Sequence, residues 1–323
     1  MVPSFADIQA ASARIAPYAM RTPLVESAVL NERTGGRIFL KLETLQRTGS
    51  FKFRGACNRM AMIPQDHRAA GVVAFSSGNH AQGVAAVAQL LGMPAVIVMP
   101  QDAPRAKIEG TRALGAQIVT YDRVREDREA IAARICAERG GVLIKPFDDA
   151  GIIAGQGTIG LEIAEDAARL GVALDEVLVP CSGGGLVSGV ALALKGAGIT
   201  AGVHSVEPEN FDGMRRSLQA GRRVTAPGGT LSIADALMAP TPGEIVFALA
   251  NAILAAGFSV QDHELTQAVA FSARDLKLLV EPGGAAALAA LLAQKIEARG
   301  KNLVLVLSGG NADFATVAAC VAQ

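Results

Sequence analysis

Tryptophan is absent from the 323 residues, and all aromatics together make up only 4%. A core without large rings has to be built from Ala, Val, Leu and Ile. Half of the chain is hydrophobic, which is ample for that purpose and for two lobes. A net charge of either sign is missing too: 30 Lys and Arg balance 30 Asp and Glu. That balance excludes electrostatic recruitment to nucleic acid or to an anionic membrane. Cysteine is scarce. Cys57, Cys136, Cys181 and Cys320 form no CxxC pair, and none stands at ligand spacing from a histidine. They read as small buried apolar residues. No uninterrupted apolar run reaches the roughly 20 residues that cross a bilayer. The N-terminus also lacks a basic segment followed by a long apolar one, so no signal peptide is expected. The expectation is a cytoplasmic protein.

Glycine is plentiful, with 35 residues, and suits a parallel sheet with close helix packing. From Gly71 to Phe147 short apolar runs alternate with helical segments. Strands are expected at Val72–Ser76, Pro94–Met99, Gln117–Tyr121 and Val142–Lys145, and helices at Asn79–Leu91, Arg105–Leu114 and Asp127–Glu138. This is the pattern of βαβ units and a parallel sheet. A second series follows, with strands at Glu176–Pro180, Val203–Val206 and Leu303–Leu307 and helices at Ile152–Leu170, Leu186–Lys195 and Gly283–Ala298. Ile38–Leu42 is expected to join that second sheet. Ala220–Pro242, rich in Gly, Pro and Thr, reads as a surface excursion. The expected fold is α/β and two-lobed, each lobe a mainly parallel twisted sheet flanked by helices. Residues 1–69 and 148–323 would form a large unit and 70–147 a small mobile one. Ligands in such sheets sit beyond the carboxyl ends of the strands.

Several segments stand at those ends. TGSFKFRG (48–55) sets Lys52 between Phe51 and Phe53. A lysine in apolar surroundings has its charged form disfavoured and becomes available as a neutral amine for imine formation. The alternative is a surface lysine whose stem lies along two rings. SSGNHAQ (76–82) follows the Val72–Phe75 strand and opens a helix, whose free N–H groups favour a polar or anionic ligand. There Ser77 or Asn79 also suits a simple N-cap. SGGGL (182–186) lets backbone N–H groups close around a phosphate. It is neither a Walker A loop nor a GxGxxG fingerprint, which argues against ATP and NAD. SGGN (308–311) and EPGG (281–284) follow in similar settings, Glu281 as a ligand contact or a cap. Glu207–Asp212 offers three carboxylates, whose oxygens suit Mg or Ca, or a solvated acidic loop.

These segments, with IAGQGTIGLE (153–162), occur in one order over nearly the whole chain. The ordered set closely resembles the fold-type II pyridoxal-phosphate enzymes, and within them the threonine dehydratase and serine racemase group. The resemblance implies pyridoxal 5′-phosphate in the cleft between the lobes, bound covalently to Lys52 with Phe51 beside its ring. It implies Asn79 at the ring hydroxyl, Ser182, Gly183, Gly184, Gly185 and Leu186 around the phosphate, and Ser308 at the pyridine nitrogen. Ser76, Ser77, Gly78, Asn79 and His80 would bind the substrate. The implied activity is loss of water from a small hydroxy-amino acid such as L-threonine or L-serine, giving a 2-oxo acid and ammonia, in a homodimer. Ser77 matches the serine that serves the opposite face of the α-carbon in racemases, so serine racemase is one alternative. A 3-hydroxyaspartate dehydratase is another, and needs a cation for the second carboxylate. Glu207 matches a metal-binding glutamate of the racemases; the acid that accompanies it falls at Asp212 or at Gly213, which has no side chain to offer. The chain stops soon after Ser308, so no regulatory domain and no feedback inhibition by isoleucine are expected. A non-catalytic amino-acid-binding relative is the competing class, disfavoured by the presence of Lys52.

Overall fold

The structure, a computed structural model, describes residues 1–103, 105–122 and 124–323. Ten strands are found among the described residues: β1 Leu24–Glu26, β2 Arg37–Leu42, β3 Val72–Phe75, β4 Ala95–Pro100, β5 Gln117–Tyr121, β6 Val142–Leu143, β7 Glu176–Pro180, β8 Gly202–Pro208, β9 Ala256–Val260 and β10 Asn302–Leu307. They form a six-stranded sheet in the order β1-β2-β10-β7-β8-β9 and a four-stranded sheet in the order β5-β4-β3-β6. Every pairing is parallel except β1 with β2. This is the two-sheet α/β architecture expected from the alternating pattern.

β10 shows why its sequence makes a central strand. Side chains alternate faces along a strand, so a strand covered on both sides reads as continuously apolar. Leu303, Leu305 and Leu307 enter one core with Leu178 and Leu288, while Val304 and Val306 enter the other with Val177 and Val190. Each such side chain, fully buried, contributes about 1.5–3 kcal/mol. β3 divides its residues likewise. Val72 and Ala74 pack with Val84 and Val87, and Val73 and Phe75 with Ala132 and Ile135.

Two segments differ from expectation. The helix expected over Gly283–Ala298 is confined to Ala286–Leu292. Gln294 turns left-handed at φ 54°, and Lys295 N–H bonds back to the Ala290 carbonyl at 2.9 Å, which closes the helix early. The Ala220–Pro242 segment is no simple surface excursion. Ala226, Ala234 and Leu237 are buried, and Ala226 N–H bonds to the Pro240 carbonyl at 2.8 Å. Among the described residues no helix is long and apolar enough to cross a membrane.

The helices Ala150–Leu170 and Gly185–Gly196 cross at a glycine contact. A Cβ on Gly189 would stand 2.5 Å from the Ile153 carbonyl oxygen and 2.8 Å from Gly157 N. Both are backbone atoms, so overpacking outweighs the gain in helix propensity. Gly189→Ala is expected to lower stability by about 1–3 kcal/mol, read from urea unfolding; an unchanged midpoint would show that the crossing is slack.

Candidate active site

A cleft of about 790 Å³ lies between the two sheets. Its walls come from the carboxyl ends of β3, β7 and β10, from the start of the helix Lys52–Ala61, and from Leu237–Pro242. The segment expected at the surface thus forms part of the cleft wall.

Lys52 begins its helix because the chain before it is fixed. Ser50 bridges to Gly309, and Phe51 N–H bonds to the Ser308 carbonyl at 3.1 Å. No proline or β-branched residue interrupts the ten that follow. Gly55 and Gly155 allow close packing on the helix Ala150–Leu170: a Cβ on Gly155 would lie 2.7 Å from the Arg54 carbonyl oxygen. Lys52 Nζ points into the cleft. It donates to the Pro146 carbonyl at 2.8 Å and stands 5.1 Å from the centre of the Phe51 ring. Burial pushes its pKa down to about 8.

The turn after β3 supplies the facing wall. Ser76 Oγ accepts from Gly78 N–H at 3.2 Å, and Ser77 and Gly78 line the cleft. Asn79 opens the helix Asn79–Leu91. Its Nδ2 donates to Glu281 at 2.6 Å and its Oδ1 accepts from Asn311 at 2.8 Å, an arrangement that fixes the amide. The Glu281 side chain accepts from Asn79 and does not cap the helix Ala286–Leu292, whose N-cap is Ala285. Its carboxyl is pushed up to about 7, first by burial and then by Asp235, against the opposing hydrogen bond from Asn79. His80 is buried with Nε2 2.9 Å from the Ile144 carbonyl. Burial, and then the nearby Lys52 charge, lower its pKa to about 3, so the ring is neutral. It is held against the segment after β6 and also lines the cleft.

Across the cleft, the glycine loop follows β7. Ser182 Oγ accepts from Ala239 N–H at 3.1 Å, tying the loop to the wall segment. A Cβ on Gly183 would overlap the Phe147 ring. Gly184 is left-handed at φ 96°, where a Cβ would come within 2.6 Å of Met214 Cε. Gly185 begins a twelve-residue helix that has no side-chain cap, and Leu186 is buried behind it. Uncapped N–H groups, glycines that exclude a Cβ and the helix dipole together suit a phosphate dianion. Ser308, 4% exposed at the end of β10, completes the floor. A pyridine ring with an aldehyde and a phosphate finds a fitting group for each part here. Phe147, Asn311 and Ala239 escaped the sequence reading; only the asparagine of SGGN carried a signal.

The acidic residues at and beyond the end of β8 make contacts of their own. Glu207 accepts the N–H groups of Met214 and Arg215, each at 2.8 Å. Burial, opposed by those two bonds, still raises its pKa to about 8. Asp212 is bound by Arg215 and by Arg216. Among the described residues no three His, Cys, Asp or Glu side chains come together as a metal group. The Glu207 carboxyl thus meets the first turn of the helix Gly213–Ala220, and the Asp212 carboxyl meets two arginines.

Comparison with known proteins agrees with this geometry. The family model of pyridoxal-phosphate dependent enzymes matches residues 15–309. The chain belongs to this family. Its relatives include an L-threonine ammonia-lyase of Thermotoga maritima, 43% identical over 95% of this chain and 75% of that protein. An L-threo-3-hydroxyaspartate ammonia-lyase of Saccharomyces cerevisiae is 41% identical over 97% of this chain and 95% of its own. The solved structure of maize serine racemase superposes with a TM-score of 0.93 at 36% identity, covering 99% of this chain and 97% of that one. The fold is thus fold-type II, as the ordered motifs implied.

Because burial disfavours the Lys52 ammonium, its amine should react with small aldehydes from lower pH than a surface lysine. The rate of borohydride-trapped modification at Lys52 is expected to rise with a midpoint near 8; a midpoint in the ordinary lysine range would contradict the burial argument.

Proposed function

We propose that the protein eliminates water from a small hydroxy-amino acid of the L-threonine or L-serine type, yielding a 2-oxo acid and ammonia. The observation that carries this reading is the placement of Lys52 Nζ, half-buried 2.8 Å from the Pro146 carbonyl in a cleft lined also by the Ser76–Asn79 turn and the glycine loop. Pyridoxal phosphate supplies the aldehyde that captures the substrate amine and the electron sink that makes the α-proton acidic. In this reading the N–H groups of Gly183 to Leu186 hold its phosphate. The second N–H of Asn79, oriented by Glu281 and Asn311, meets its ring oxygen, and the Ser308 hydroxyl meets its ring nitrogen. A hydroxyl partner leaves that nitrogen largely neutral, which favours prompt loss of the β-hydroxyl over transamination. The hydroxyls of Ser76 and Ser77 and the backbone N–H groups of the turn that follows them hold the substrate carboxylate. The unprotonated Lys52 amine takes the α-proton, and the β-hydroxyl leaves as water with a proton from an acid of the cleft. The freed enamine hydrolyses in water. Residues 70–147 move as a unit to admit substrate and then exclude solvent.

Lys52→Ala is expected to lose at least about 10³-fold in keto-acid formation from L-threonine and L-serine, the combined loss of the covalent anchor and the base. A variant that kept most of its activity would overturn the assignment.

A specific observation favours 3-hydroxyaspartate as a further substrate. Among the cations that line the cleft, Lys107 is bonded to Asp235 and Arg223 to Glu244. Arg128, 5.4 Å from the centre of the Phe75 ring, and Lys145 form no ion pair among the described residues. They offer positive charge to a second carboxylate. Arg128→Met should raise KM for 3-hydroxyaspartate about tenfold or more while leaving KM for L-threonine within about twofold, as expected for one charge-assisted contact. An equal effect on both substrates would count against this role. Enantiomer analysis of L-serine left after turnover separates elimination from racemisation through Ser77.

A further inference from the structure

Arg54 is 1% exposed and lies two residues beyond Lys52 on the same helical turn. Residues two apart on a helix point in nearly opposite directions. Lys52 faces the cleft, whereas Arg54 faces a closed cluster of charge. Its guanidinium donates to both Glu43 oxygens at 2.8 Å, and to the two Glu162 oxygens at 2.7 and 2.9 Å. Lys41 Nζ donates to Glu162 at 2.5 Å and to the Thr22 carbonyl at 2.6 Å. Thr22 Oγ1 donates to Glu43 at 2.5 Å. Two cations thus meet two carboxylates, with no net charge left behind Lys52.

A buried ion cluster is a poor source of stability, because desolvation offsets most of its attraction. What a planar guanidinium between two bidentate carboxylates does supply is orientation. The helix needs it, for it begins at Lys52 without a side-chain cap. Glu43 follows β2 and Glu162 lies on the helix Ala150–Leu170, so Arg54 is gripped from two separate elements. We propose that Arg54, clamped by Glu43 and Glu162, is a positioning residue that fixes the first helical turn and so aims Lys52 Nζ into the cleft. The proposal rests on the functional reading above, in which Lys52 carries the cofactor.

The test compares wild type, Arg54→Lys and Glu162→Gln, each reconstituted with pyridoxal phosphate. The rate of borohydride-trapped attachment at Lys52 is followed by peptide mass, and the orientation of the bound chromophore by visible circular dichroism. Arg54→Lys keeps the charge and loses the second fork. It should slow attachment, weaken the dichroic band and lower kcat about tenfold to a hundredfold, with KM within about twofold, as a misplacement on the order of 1 Å does. Glu162→Gln should do the same to a smaller degree. Arg169→Ala removes an ion pair to Asp166 on the same long helix without touching Glu43 or Glu162, and should change neither attachment nor dichroism. Wild-type attachment and dichroism in a folded Arg54→Lys overturn the proposal; where that variant does not fold, the same result in Glu162→Gln overturns it. A wild-type protein that attaches no pyridoxal phosphate at Lys52 overturns the functional reading instead.

Discussion

A lysine amine set into a protein-lined cleft, with a carbonyl oxygen and, among the described residues, no ion pair to receive it, is the constraint around which this molecule is arranged. Desolvation makes the ammonium form of Lys52 costly, and its amine donates a hydrogen bond to the Pro146 carbonyl. Such a group is tolerated because it is tied in place by its neighbours. Phe51 is bonded to the end of β10, and Arg54 is gripped from β2's end and from the long helix. Lys52 is thus held where both sheets can reach it.

The parallel topology then does the rest. Strands β3, β7 and β10 all deliver their carboxyl ends to the same cleft. At each end the chain turns through small residues, so backbone N–H groups and short hydroxyls line the space in place of bulky side chains. Gly183 and Gly184 are required by contact, since Phe147, Val246 and Met214 leave no room for a Cβ. Ser182 and Ala239 tie the loop to the opposite wall. The strand ends are therefore shaped by backbone, while charged side chains such as Lys107, Arg128, Lys145 and Arg223 line other parts of the cleft.

Much of this was legible in the sequence, for physical reasons that differ by element. β10 and β7 are covered on both faces, and continuous apolar runs announce that directly. The Asn79–Leu91 helix is bounded by a polar turn and by Gly92, left-handed at φ 63°, both visible as residue types. The early end of the Ala286–Leu292 helix was not visible, because Gln294 carries no sequence mark of a left-handed turn. The wall segment around Leu237–Pro242 was misread because Gly, Pro and Thr describe local turns and say nothing of what the turns rest on. At the site, Lys52, the turn after β3 and the glycine loop came from motifs in order. The partnership of Asn79 with Glu281 and Asn311 did not, since it joins residues more than 200 positions apart. The same holds for Arg54, whose neighbours Glu43 and Glu162 come together only through helix packing.

The central claim is that the Lys52 amine and the glycine loop grasp opposite ends of one cofactor. A crystal structure of the protein grown with pyridoxal phosphate tests it most directly. The account predicts continuous density from Lys52 Nζ to the cofactor, with phosphate oxygens within hydrogen-bond reach of the N–H groups of Gly183 to Leu186. Density placing the phosphate elsewhere, with Lys52 Nζ still on the Pro146 carbonyl, would contradict it.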